Sequence, residues 1–272
     1  MLYQQSAIDV LKTLGFSPDN GTEFLNKIRE TLQLPLPQAY TDFMAYAANA
    51  PLFGTSDLWV GQMVPFPMKP YTLYSLLQEE IKDQQETWEE EEEERKDVLY
   101  ELSQRSEADW PELMENFLII GSDYAAGIAL IGIRIQDLSQ PDPAVYWCNQ
   151  DVDISKWYIV EEHLSDFLFS ILTNVLGCID YDTAERALEK CGWEYEEYFD
   201  PEEDDWVSND AVLERYGIQK SQLKRLRGWN DRPTFLCYDE EKSVFFVGSD
   251  DEEEPFLYAI RRHDAPSVFP SM

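Results

Sequence analysis

The sequence predicts an α+β protein. Apolar residues recur at helical intervals through residues 24–47 and 73–102 and again through 164–175. Short apolar runs and two-residue alternation occupy residues 117–147 and 235–260. There is neither a fixed-period repeat nor a heptad array long enough for a coiled coil.

The first helical stretch starts near Asn20, which stands three residues before Glu23 in capping-box spacing. Phe24, Leu25, Ile28 and Leu32 follow at intervals of one helical face. Pro35 ends this helix and Pro37 suits the first turn of the next, lined by Tyr40, Phe43, Met44 and Ala47. An irregular stretch rich in proline and glycine follows, to Pro70. From Leu73 to Leu102 the chain favours helix again, with Ile81, Trp88, Arg95 and Leu102 seven apart. Glu89 to Glu94 is an unbroken acidic run inside it, predicting a solvated helix with a thin apolar seam.

Phe117–Ile120 reads as a strand. Ile131, Ile133 and Ile135 alternate with Gly132 and Arg134, the period of a half-buried strand. Pro141-Asp142-Pro143 marks a turn before a Val145-Tyr146-Trp147 strand. Leu164, Phe167, Leu168, Ile171, Leu172 and Val175 then form an apolar helix face, with Gly177 placed to end it. A second, smaller α+β unit is expected from residue 177 to residue 272. It holds a helix near Ala187 and Leu188, two short helices at Asp210–Tyr216 and Ser221–Leu226, and a β-meander. The meander strands are Phe235–Tyr238, Val244–Val247 and Phe256–Ile260, with a turn at Asp239–Lys242.

Charge is the main global feature. The 272 residues carry 54 acids and 21 bases, a net charge of −33. Such a chain repels nucleic acid and anionic membranes and attracts basic partners. With 44% hydrophobic and 14% aromatic residues, it has the material for a packed core. The start lacks the basic and apolar regions of a secretory signal. The apolar-rich stretch Ile159–Leu176 is too interrupted by polar residues to span a bilayer. Cys148, Cys178, Cys191 and Cys237 form no CxxC pair. These features point to a cytoplasmic protein with free, mostly buried thiols.

Residues with catalytic or metal-binding potential are few. His163 and His263 are the two histidines, and neither lies in a pattern that suits a nucleophile's base. The scattered cysteines and histidines offer no zinc spacing. Phosphate-binding glycine motifs are absent, and Asp123–Gly127 lacks the glycine density to cradle phosphate. No catalytic residue, metal or cofactor is assigned.

Two features point to binding. The segment Val212–Leu226 has helix-turn-helix spacing, with Gly217 at the turn and Val212, Tyr216, Ile218, Leu223 and Leu226 at buried positions. It lies in a basic window, residues 210–232, with six bases and three acids. Lys220, Lys224 and Arg225 would there meet phosphates, as in a transcriptional regulator, whereas Leu213 is large for a helix crossing. The alternative is that the segment only packs under the meander. The second feature is the acidic runs, which carry aromatic neighbours suited to anchoring an interface. The candidate partner-binding residues are Trp88, Glu89, Glu90, Glu91, Glu92, Glu93 and Glu94 in the first run. In the second they are Tyr195, Tyr198, Asp200, Glu202, Glu203, Asp204 and Asp205.

Two motifs stand in order within residues 20–176: Leu34-Pro35-Leu36-Pro37 followed by Tyr40 and Phe43, and Phe117-Leu118-Ile119-Ile120-Gly121-Ser122-Asp123. The first is similar to the "LP" signal and helix, and the second to the strand entering a tight turn, of the SUKH superfamily, which includes fungal cell-wall-synthesis regulators and many bacterial toxin-immunity proteins. A strand, the Val145–Trp147 strand and the Phe167-Leu168 helix follow in the family order. The resemblance implies a mostly antiparallel sheet with surrounding helices over residues 1–176, the acidic helix near 84–105 being an insertion. It further implies a non-enzymatic role: an immunity factor that neutralises a basic toxin domain, often a nuclease, or a scaffold for several partners.

Overall fold

The computed structural model describes residues 2–3, 6–18, 21–48, 70–90, 98–123, 129–177, 182–197, 209–219, 221, 224–227, 233–249 and 256–269. In chain order the elements are β1 (Leu2–Tyr3), α1 (Ala7–Thr13), α2 (Thr22–Leu32), α3 (Gln38–Ala47), β2 (Tyr71–Thr72), α4 (Leu73–Glu90) and α5 (Val98–Ser103). There follow β3 (Phe117–Asp123), β4 (Ala129–Arg134), β5 (Val145–Asn149), α6 (Gln150–Asp153), β6 (Tyr158–Glu161) and α7 (Leu164–Gly177). The remainder are α8 (Asp182–Lys190), β7 (Trp193–Glu197), α9 (Asn209–Arg215), β8 (Lys224–Arg227), β9 (Pro233–Asp239), β10 (Val244–Ser249) and β11 (Phe256–Arg262). The fold is α+β, with two antiparallel sheets.

The chain divides into two compact units. One comprises Asn26–Thr41 and Pro65–Leu164; the other comprises Met1–Leu25, Asp42–Val64 and Ser165–Met272.

In the first unit the sheet order is β2-β3-β4-β5-β6. Phe117, Ile119, Leu130, Tyr146 and Cys148 line one sheet face. They pack with Leu73, Leu77 and Ile81 of α4 and with Leu102 and Trp110. Trp110 donates from Nε1 to the Leu102 carbonyl at 3.1 Å, so the large ring is buried without an unmet polar atom. The expectation of a half-buried strand at 131–135 is corrected. β4 is buried from Ala129 through Ile133, and Ile135 belongs to a short 3₁₀ turn. A central strand covered on both faces has no solvent side, so alternation no longer reports exposure. Gly132 is there because a Cβ would lie 3.1 Å from the Leu118 carbonyl oxygen on β3.

The second unit holds a sheet in the order β1-β9-β10-β11-β7, with β8 also paired to β9. β9, β10 and β11 are the expected meander, in register Val247↔Leu236 and Val247↔Tyr258. Its first turn is shaped by Asp239, whose Oδ1 accepts from the Glu241 and Lys242 amides at 3.1 and 3.2 Å. Every residue of β10 is buried. Phe235, Cys237, Phe246 and Leu257 pack with Val212 and Leu213 of α9, with Ile218 and with Phe269. The α7 face named from its spacing is buried throughout, from Leu164 to Val175.

The helix-turn-helix reading of residues 212–226 is corrected. α9 and the left-handed Gly217 turn, φ +81°, are present. The second helix is not: Lys224–Arg227 is a strand pairing Lys224↔Leu236 and Arg225↔Phe235. A helix of about six residues gains little from propensity alone. The edge of β9 instead offers a ladder of hydrogen bonds, and tertiary pairing decides the conformation.

Candidate partner-binding surface

The structure places the predicted contact residues unevenly. Trp88, Glu89 and Glu90 lie in the last turn of α4, which is described at the level of the backbone. Glu91, Glu92, Glu93, Glu94, Tyr198, Asp200, Glu202, Glu203, Asp204 and Asp205 lie outside the described residues. Tyr195 is the one candidate whose side chain is described.

Tyr195 sits on β7, a strand not anticipated within the acidic stretch 194–205. β7 pairs with β11 and forms one edge of its sheet. The Tyr195 hydroxyl donates to the Leu176 carbonyl at 3.0 Å, and its ring meets Tyr258 edge-on at 6.3 Å. It is half-buried and anchors β7 to the end of α7. The alternation of the strand sends Glu194 and Glu196 to the other face, where Arg261 pairs with both.

Glu196 is the centre of a tight cluster. Its carboxylate accepts from Arg261 Nε at 3.0 Å, from the Val268 and Phe269 amides at 2.9 and 2.8 Å, and from the Ser267 hydroxyl. Burial pushes the Glu196 carboxyl up, but the four hydrogen bonds outweigh it and hold the group below the usual glutamate value. Arg261 also donates to the Ala265 carbonyl at 2.7 Å. Glu194 and Glu196 therefore fold the segment 265–269 back onto the sheet and seat Phe269 in the core. Arg261 supplies a counter-charge for the start of this acidic stretch.

The remaining reactive groups are dispersed. His163 Nδ1 lies 3.8 Å from Asp142, on the surface, while His263 Nε2 lies 3.0 Å from the Trp193 carbonyl. Burial pushes the Cys148 and Cys237 thiols up to about 12, which keeps them protonated and poorly nucleophilic. Cys191 is raised for the same reason. The expectation of free thiols holds for these three, and Cys178 lies outside the described residues. Among the described residues no group of His, Cys, Asp and Glu has metal-binding geometry, and no helix is long and apolar enough to cross a membrane.

One surface feature was missed in the sequence. Tyr158 and Ile159 on β6 and Val152 on α6 are exposed. The signal was present as the run Tyr158-Ile159-Val160, aromatic and β-branched and closed by Glu161 and Glu162. That run overlaps the start of the apolar-rich stretch Ile159–Leu176, which is weighed only as a membrane span.

No curated protein and no solved structure matches this chain. A family model described as SMI1 / KNR4 family (SUKH-1) matches residues 22–170, a little over half of the 272 residues. The match spans α2, α3, the whole five-stranded sheet and the first half of α7, the elements in which the SUKH resemblance was seen. The chain belongs to the SMI1 / KNR4 family (SUKH-1).

Proposed function

We propose that this protein is a cytoplasmic, non-enzymatic immunity-type factor that captures and neutralises a basic toxin domain, a nuclease being the best electrostatic fit. The observation that carries the reading is a net charge of −33 on a member of a family consistent with immunity-type binding. A nuclease presents cationic surface to its own substrate, and an inhibitor with surplus carboxylates competes for that surface and speeds encounter. The acidic runs at 89–94 and within 198–205 supply density of charge. The carboxylates of Glu194 and Glu196 are engaged by Arg261, which leaves the contact role to the rest of that second run.

The test uses the purified full chain and the toxin domain encoded beside it. Calorimetry is expected to give a stoichiometric complex, and co-expression is expected to protect cells from that toxin. Absence of both binding and protection would overturn the reading. Multi-partner scaffolding is the competing outcome: several unrelated proteins recovered at sub-stoichiometric ratios would support it instead.

A further inference from the structure

The outer margin of the five-stranded sheet is built as an open edge. β6 pairs with β5 on one side and with no described strand on the other. The described residues include four exposed large apolar side chains, and two of them lie on β6: Tyr158 at 57% and Ile159 at 51% exposure. Proteins usually guard such an edge with lysine, proline or a bulge. The β5–β6 pairing shifts register between Val145↔Glu161 and Tyr146↔Ile159, so the regular part of the edge is Tyr158 and Ile159. Neither is charged, and the nearby Lys156 is engaged by Asp153 at 2.9 Å.

The margin is also held firmly in place. The Gln150 side chain donates to the Glu80 carboxylate, tying α6 to α4. Asp153 accepts from the Ser155 amide and hydroxyl at 3.0 and 2.5 Å and closes the turn into β6. Trp157 stacks on Phe117 with centroids 4.0 Å apart and donates from Nε1 to the Ile154 carbonyl at 3.0 Å. Trp147 and Tyr158 lie across the β5–β6 pair at 6.4 Å. A strand anchored in this way loses little freedom when another chain binds it.

Charge selects the occupant. Residues 142–166 contain six acids, Asp142, Asp151, Asp153, Glu161, Glu162 and Asp166, against one lysine. A second copy would set these acids against their own kind and −33 against −33, which opposes self-pairing. We propose that β6 is a docking strand for an extended, positively charged segment of a protein partner. That segment adds to the sheet edge, sets an apolar residue against Ile159 and directs basic residues toward Glu161 and Glu162. The proposal rests on the reading that this protein captures a basic partner, and it names where.

Fluorescence anisotropy on the full chain tests it, with three labelled peptides as probes. One alternates Lys and Val, one has the same charge but a central proline, and one alternates Glu and Val. The Lys–Val peptide is expected to bind, and the other two are not. Ile159→Lys and Tyr158→Lys, at exposed positions of β6, should each weaken binding by about tenfold or more. Ile159→Val should retain it, and circular dichroism melts should match wild type. Equal binding of the proline-interrupted peptide, or indifference to both lysine variants, overturns the docking strand. The same variants are then tried with the toxin domain. Toxin capture untouched by both would sink the docking strand and leave the toxin reading standing. The predicted peptide pattern without any toxin capture would do the reverse.

Discussion

Gly21 shows how one missing Cβ sets a local packing distance. Its amide donates to the Ala45 carbonyl at 2.9 Å, and a Cβ would lie 1.9 Å from the Met44 carbonyl oxygen. Gly21→Ala must push the α3 backbone away, so a loss of about 1–3 kcal/mol is expected in urea denaturation. An unchanged midpoint would show that the contact is not needed. Glu196 is the electrostatic counterpart. Its folded pKa lies below its unfolded one, so the stability it supplies is complete above the usual glutamate range. That stability is lost as pH falls through the lowered folded value. Glu196→Gln should therefore cost about 2 kcal/mol at neutral pH, the scale of a charge-assisted hydrogen bond. It should cost progressively less as the solution is acidified below that range. Thermal melts across pH check this, and a cost independent of pH would contradict it.

Among the elements, residues 224–227 separate local preference from tertiary pairing. They carry strong helix formers, Lys, Arg and Leu, yet join β9 as β8. Backbone chemical shifts of Lys224–Arg227 are expected to be strand-like, and helical shifts would refute the pairing. β7 makes the same point from the acidic side. The run 194–197 looks like solvated charge, but alternation divides it between Tyr195 on one face and the Arg261 clamp on the other. β4 shows a third case, in which cover on both faces removes the polar side that alternation implied.

At the level of the whole molecule, the proposed reading has the surplus of carboxylates govern encounter with a basic partner. Association with a basic toxin domain should slow markedly between low and physiological salt, because screening shortens the reach of the field to about 8 Å. The dissociation rate should change much less. Stopped-flow kinetics across ionic strength checks this. An association rate indifferent to salt would remove electrostatic steering from the account. Apolar contact at Tyr158 and Ile159 would then have to carry both specificity and affinity.

Much of this protein was legible in its residues. The α+β class, α3, the apolar face of α7, the three-stranded meander and its Asp239 turn all follow from periodicity and turn chemistry, which act within a few residues. The family followed from the order of several weak motifs. The contact surface was less legible. Of the candidate residues, Tyr195 proved half-buried and internally bonded, and the exposed pair Tyr158 and Ile159 lay at the edge of an apolar stretch. Net charge and local period are properties of the chain itself and can be read from it. Whether 224–227 becomes strand or helix, which acid meets Arg261, and which apolar strand is left at a sheet edge depend on residues distant in sequence. Only the folded arrangement supplies those neighbours, and only it could decide them.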